Sequence, residues 1–174
     1  MKKIIFAGAL ISLFACSQQA PKTEELSVVV DSASATSSQG SLETEGPDID
    51  LMKKLISSVE KADWETAGSC FSASAVIFYN QWAPDTTQKG IPVADVLANE
   101  KADRVNWENV SYGEPIYEVV TVASGEKYGH LWARYTAKNK KSGKIVDVPL
   151  FASYLIKDGK LQWEWAIYDS KKLE

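Results

Sequence analysis

The strongest constraint on the fold is a hairpin signal near the end of this 174-residue chain. Asp158 and Gly159 separate two runs in which apolar and polar residues alternate, residues 145–156 and 161–168. An Asp-Gly pair readily adopts the backbone of a two-residue hairpin turn, so these runs predict two antiparallel strands. The same alternation assigns each residue to one of the two faces of the sheet.

The elements before this hairpin change from helices to strands. Asp48 is predicted to cap a first helix, Asp63 a short second one, and a third begins at Ile91 with Pro92 in its first turn. One strand, residues 75–79, interrupts the helices, and residues 107–122 and 128–137 add further strands. This order predicts an α+β domain, with helices on one face of a mainly antiparallel sheet.

The first sixteen residues have the pattern of an export signal. Lys2 and Lys3 precede an uncharged apolar run, residues 4–14, which is shorter than the ~20 residues needed to span a bilayer. The run ends in Leu-Phe-Ala-Cys, with the cysteine at Cys16, and this string resembles the lipobox of bacterial lipoproteins. The resemblance implies cleavage before Cys16 and acylation of that residue, which predicts a lipid-anchored protein of the bacterial cell envelope with the bilayer as its partner.

Three segments follow from this pattern. Residues 1–15 are predicted to be the lipoprotein signal peptide. Residues 16–46 are predicted to be the lipidated cysteine and a flexible tether, because they are rich in small and polar residues and lack aromatic side chains. Residues 47–174 contain all six tryptophans and all seven tyrosines, and are predicted to form the folded domain.

The charge and composition argue against several classes of partner. The net charge is −4, so no basic surface is available to attract nucleic acid. One histidine and scattered carboxylates do not make a metal site, and no glycine-rich phosphate loop is present. We therefore expect no nucleic-acid partner, no metal and no cofactor.

Two strings carry a resemblance to a known family. Residues 59–65 (Val-Glu-Lys-Ala-Asp-Trp-Glu) are followed by residues 71–77 (Phe-Ser-Ala-Ser-Ala-Val-Ile), and residues 151–165 contain the hairpin with its Asp-Gly-Lys-Leu turn. In this order they resemble the nuclear-transport-factor-2-like (NTF2-like) superfamily, in particular its SnoaL-like branch. The resemblance covers most of residues 48–169. It implies a cone, in which a strongly curved sheet wraps three N-terminal helices and encloses a cavity.

The resemblance also indicates which face of each strand lines that cavity. The predicted pocket residues are Leu55, Ile77, Tyr79, Ala152, Tyr154, Glu164, Ala166 and Tyr168. Trp163 and Trp165 then point to the opposite face, where two outward tryptophans predict an interface, and the superfamily suggests a homodimer.

The catalytic positions of the family hold other residues in this chain. The carboxylate base of ketosteroid isomerase falls at Tyr79, its tyrosine donor at Leu55 and its protonated carboxyl near Ala152. The aspartate that SnoaL-like proteins often place after the final-strand tryptophan falls at Ala166. The sequence therefore assigns no catalytic residue. Glu164 and His130 remain the candidates, Glu164 because a desolvated carboxyl among tyrosines could work as an acid or base.

Three hypotheses for the function remain open. The leading one is a membrane-tethered, non-catalytic module that binds a small apolar or amphipathic molecule. The alternative is a SnoaL-like isomerase, cyclase or hydrolase that uses Glu164 or His130 in the cavity. The third is an assembly part whose cavity is filled by its own side chains. An abnormal pKa of Glu164 would favour the enzyme.

Overall fold

Three helices and eight strands make up the part of the chain described by the computed structural model, residues 40–80 and 89–172. In chain order they are β1 (Ser41–Glu43), α1 (Pro47–Glu60), α2 (Trp64–Ser69), β2 (Phe71–Tyr79), β3 (Ile91–Pro92), α3 (Val93–Asp103), β4 (Trp107–Ser111), β5 (Ile116–Thr121), β6 (Lys127–Asn139), β7 (Ile145–Lys157) and β8 (Lys160–Tyr168). The predicted signal peptide, Cys16 and most of the predicted tether lie outside the described residues.

The helix starts follow local chemistry, with two corrections to the prediction. α2 begins as predicted, with the Asp63 side chain accepting a hydrogen bond from the Thr66 backbone N–H at 3.1 Å. The cap of α1 is Gly46 rather than Asp48, whose carboxylate instead binds Lys127 Nζ at 2.7 Å. α3 begins at Val93 rather than Ile91, because Ile91 and Pro92 pair with β2 as β3.

The strands form one sheet in the order β1-β5-β6-β7-β8-β2-β3, and β4 pairs with β6 beside this path. Every pairing is antiparallel except that of β2 with β8. The helices pack on one face of this sheet, where α1 contacts β5 and β6. The predicted α+β architecture of helices on a curved, mainly antiparallel sheet is therefore confirmed.

The folded part begins earlier than predicted. β1 lies inside residues 16–46, which were assigned to the tether, and Leu42 pairs with Val120 of β5. The segment is short and mostly exposed, and it gains order by adding backbone hydrogen bonds to a strand that is already present. Strand structure therefore begins at Ser41, before the predicted start of the folded domain at residue 47.

A register shift in the final hairpin changes the face of one residue. Ile156 pairs with Leu161, but Leu155 pairs with Trp163, so Gln162 is the extra residue of a bulge. Simple alternation placed Leu161 on the same face as Trp163. In the structure Leu161 is fully buried in the core, because the bulge reverses the alternation at that point.

The core lies between the helices and the inner face of the sheet. It comprises apolar side chains from α1, α2, α3 and five strands, and it includes the fully buried Ile49, Met52, Val119, Leu131 and Leu161. Cys70 is also fully buried, as expected for a small core residue, and burial raises the pKa of its thiol.

Candidate functional site

A cavity of about 250 Å³ lies between the helices and the inner face of the sheet. α1 contributes Leu55, Ile56 and Val59, and α3 contributes Val96 and Leu97. The sheet contributes aromatic and aliphatic side chains from β2, β6, β7 and β8. Three carboxylate residues, Glu100, Asp103 and Glu164, also line it, and the exposed Glu100 and Asp103 mark its open side.

The structure brings most of the sequence-predicted pocket residues together in this lining. The cavity is lined by Leu55, Ile77, Tyr79, Tyr154, Glu164, Ala166 and Tyr168. Ala152 does not line it and is fully buried in the core. Its Cα pairs with those of Leu131 and Ala166 in the neighbouring strands, and Leu131 is likewise fully buried.

Glu164 is the central polar group of the cavity. β8 places it opposite Tyr154 on the inner face, where protein surrounds it and its remaining accessible surface faces the cavity. Burial, and secondarily the charge of Glu100, raise the pKa of Glu164 to about 7. Among the described residues, no side chain or backbone group forms a hydrogen bond with its carboxyl group.

Glu100 was missed in the sequence analysis. It continues the inward stripe of α3, one turn after Val96 and two turns after Val93, and this spacing was the signal that could have found it. Residue Glu100 lies at the exposed rim, yet burial of its carboxyl group raises its pKa. Asp103 raises this pKa further and Arg104 lowers it.

Tyrosines surround the two glutamates. Tyr79 and Tyr168 contact each other edge to face with their ring centroids 5.9 Å apart. Tyr112 and Tyr135, which were also missed, do so at 5.4 Å. Burial raises the pKa of Tyr135 to about 12 and that of Tyr112 well above its usual value. These phenols therefore keep their protons at neutral pH and can act as hydrogen-bond donors inside the cavity.

His130 lies on the other face of the sheet, which excludes it as a catalytic group in the cavity. Its Nδ1 is 2.9 Å from Glu118 Oε1, and its ring contacts Trp132 and Phe151, each with a centroid distance of 5.8 Å. Because its neighbours in β6, Gly129 and Leu131, point inward, the alternation of the strand turns His130 outward. The hypothesis of a histidine in the cavity is therefore wrong.

The outer face of the sheet is rich in aromatic side chains. Trp163 and Trp165 both lie there, half-buried, with Trp163 6.1 Å from Tyr128 and Trp165 6.0 Å from Phe151 between ring centroids. Trp132 belongs to the same cluster and is 41% exposed. We call Tyr128, His130, Trp132, Phe151, Trp163 and Trp165 the outer aromatic cluster.

Within residues 40–80 and 89–172, no three His, Cys, Asp or Glu side chains are arranged to hold a metal ion. In those ranges none of the helices has the length and apolar character needed to cross a bilayer.

Comparison by sequence gives no relative, since no protein-family model and no functionally curated protein matches this chain. Comparison by structure, in contrast, finds many chains with a similar fold. An NTF2-like protein from Burkholderia xenovorans superposes with a TM-score of 0.54 at 13% identity, over 75% of this chain and 96% of the other. A candidate SnoaL-like polyketide cyclase from Jannaschia gives a TM-score of 0.56 at 13% identity, over 75% and 90%.

A third similar structure is IdmH of Streptomyces antibioticus, a candidate polyketide cyclase. It superposes with a TM-score of 0.52 at 17% identity, over 72% of this chain and 94% of the other. Identities this low carry information about the backbone but not about the chemistry of the cavity. Together with the topology and the cavity inside the curved sheet, these similarities show that the chain has the NTF2-like fold.

Proposed function

We propose that this protein is tethered to a membrane of the bacterial cell envelope and binds a small amphipathic molecule in its cavity. The observation that carries the binding is the cavity itself, about 250 Å³ of space walled by aliphatic and aromatic side chains and by three acidic residues. The third hypothesis, a cavity closed by its own side chains, does not agree with that volume.

Filling the cavity should abolish binding. Ala166 lines the wall between Glu164 and Tyr168, so Ala166→Phe would place a ring in the space that a ligand needs. We expect the full chain, purified gently from a bacterial envelope, to carry a small-molecule adduct in native mass spectrometry. The adduct should be absent from Ala166→Phe.

A matched control variant distinguishes a filled cavity from loss of the ligand during purification. Ala123→Phe makes the same change in the exposed turn between β5 and β6 and should keep the adduct. Circular dichroism checks that both variants fold, and Ala166→Leu replaces Ala166→Phe if the latter does not. A bare mass for the unaltered chain, or an adduct that survives in a folded Ala166→Phe protein, would contradict the proposal.

The tether is tested at Cys16. Two or more acyl chains hold a protein on a bilayer stably, whereas one does so only marginally. We expect the unaltered protein to fractionate with membranes and to incorporate a palmitate analogue. Cys16→Ser should lose the label, while Cys70→Ser, a matched change at the buried thiol, should keep it. Labelling that persists in Cys16→Ser would rule out the lipid anchor.

A second candidate function is acid-base catalysis at Glu164, of the isomerase or cyclase kind. The observation in its favour is the raised pKa of Glu164, near 7, beside tyrosine O–H donors that could stabilise a developing oxyanion. The polyketide-cyclase names of similar structures agree with it. Once the bound molecule is known, conversion of that molecule by the unaltered protein but not by Glu164→Gln would establish this function, and binding without conversion would reject it.

We also propose that the outer aromatic cluster is the contact between two copies of the chain. The cluster extends over β6, β7 and β8 and leaves Trp132 exposed, and the exposed Ile116 of β5 pairs with Trp132 and extends the surface. Large apolar areas of this kind on a soluble domain mark interfaces more often than bare surface.

A further inference from the structure

The charged residues of the cavity are all of one sign. Glu100, Asp103 and Glu164 line it, and no Lys, Arg or His among the described residues does so. The nearest cation, Arg104, borders a smaller neighbouring pocket, and its guanidinium donates a hydrogen bond to the Glu60 carbonyl oxygen at 2.7 Å. Arg104 lowers the pKa of Glu100, but no cation among the described residues acts on Glu164, so a ligand beside Glu164 meets a carboxyl group without a protein cation near it.

The carboxylates differ in the number of hydrogen bonds that they accept from the protein. Asp103 accepts hydrogen bonds from Trp107 Nε1 at 2.8 Å and from Asn106 Nδ2 at 3.0 Å. Glu164 is enclosed by protein and, within the described part of the chain, no group donates a hydrogen bond to it. A buried carboxylate without a partner costs free energy, and a ligand that brings a positive charge would remove that cost.

The aromatic rings around the cavity favour the same kind of ligand. Trp64, Trp107, Tyr112 and Tyr135 line both the cavity and the smaller pocket beside it, and Tyr79 and Tyr168 line the cavity together with Glu164. The faces of Trp and Tyr rings attract organic cations, most strongly where water is excluded. Because the carboxylates repel an anion and no Lys, Arg or His of the described residues lines the cavity, the lining disfavours negatively charged ligands.

We propose that the molecule bound in the cavity carries an organic cation, an alkylammonium head held between the aromatic rings and the Glu164 carboxylate. This inference rests on the proposed binding function and narrows it to a ligand class. Glu164 is enclosed by protein and accepts no hydrogen bond from the described residues. This observation distinguishes a cation-binding site from a simple cluster of acidic residues.

Three probes of nearly the same shape test the charge of the ligand. Choline is the cation, 3,3-dimethylbutan-1-ol its neutral isostere, and 3,3-dimethylbutanoate the anion. Binding to the full chain in a maltoside detergent is followed by the fluorescence of the tryptophans and by ligand-observed NMR. At pH 8 we expect choline to bind at least about tenfold more tightly than the alcohol, and the anion not to bind.

The pH dependence adds a second readout. The titratable groups that face Glu164 are Glu100 of α3, Tyr79 of β2, Tyr112 after β4, Tyr154 of β7 and Tyr168 of β8. Only the two glutamates ionise below neutral pH or near it, so choline affinity should rise about tenfold from pH 6 to pH 8. The affinity of the neutral alcohol should change little.

Glu164→Gln should remove both the preference for the cation and its pH dependence, and Glu114→Gln, at an exposed site, should keep both.

The outcomes distinguish this inference from the proposed function. Tighter binding of the neutral alcohol than of choline would overturn the inference that the ligand is a cation. It would leave the proposed binding of a small molecule unaffected. A preference for choline that survives unchanged in Glu164→Gln overturns the role of Glu164. If none of the three probes binds, the inference fails, and the native mass spectrum decides separately whether the cavity holds a molecule.

Discussion

We expect Glu164→Gln to stabilise the protein at pH 8 and to leave its stability nearly unchanged at pH 4. The pKa of Glu164 is about 7 in the folded protein against 4.5 for an exposed glutamate. Between these values the unfolded chain releases a proton that the folded chain keeps. The free energy of unfolding therefore falls as pH rises through this window, by about 3 kcal/mol from this group alone. Glutamine resembles the protonated acid and does not titrate, so the variant should not show this loss.

The measurement is urea unfolding of residues 36–174, which group into one compact unit, at pH values from 4 to 8.5. Glu114→Gln, in an exposed loop, should follow the unaltered protein at every pH. If the curves for Glu164→Gln and the unaltered protein run parallel across the whole range, the carboxyl of Glu164 does not titrate near neutral pH. The acid-base candidate function and the pH dependence of cation binding would then both lose their basis.

The second large effect concerns the outer aromatic cluster. If two copies meet on this face, Trp132 loses most of its remaining exposure, and Trp132→Glu would place a charge in the apolar centre of the contact. We expect the dimer dissociation constant to rise by about 30-fold or more, since tryptophan positions of this kind often contribute about 2 kcal/mol or more to binding.

Sedimentation equilibrium of residues 36–174 at tens of micromolar measures this effect. Val105→Glu is the control, because Val105 is also exposed and apolar but lies in a short turn between α3 and β4, outside the cluster. The control should remain dimeric. A monomeric mass for the unaltered domain at these concentrations would exclude the contact, and equal dissociation of both variants would place it elsewhere.

The elements that could be predicted from the sequence are those fixed by local chemistry. The turn at Asp158 and Gly159 adopts positive φ angles of 53° and 65°, the backbone that an Asp-Gly pair favours, and it joins β7 to β8 as expected. Asp63 caps α2 because its side chain reaches a backbone N–H three residues ahead. Alternation then placed Glu164 and Trp163 on opposite faces, and the family resemblance indicated that the face of Glu164 lines the cavity.

Other features depend on parts of the chain that are distant in sequence. The bulge at Gln162 arises in the pairing of β7 with β8. Periodicity alone therefore put Leu161 on the wrong face. β1 forms only because β5 offers it an edge. Tyr112 lines the cavity because the segment after β4 borders it, and no local pattern of residues specifies this placement.

The parallel pairing of β2 with β8 also bears on how the protein folds. β2 follows the first two helices, whereas β8 is the last strand, so almost the whole domain must be present before Phe78 can pair with Trp165. Loop-closure entropy opposes contacts between such distant segments, and domains rich in them fold slowly. Because Tyr79 and Glu164 lie on these two strands, the cavity is complete only when this late step has occurred. If the chain is exported from its N-terminus, as proposed, its cavity would therefore form last.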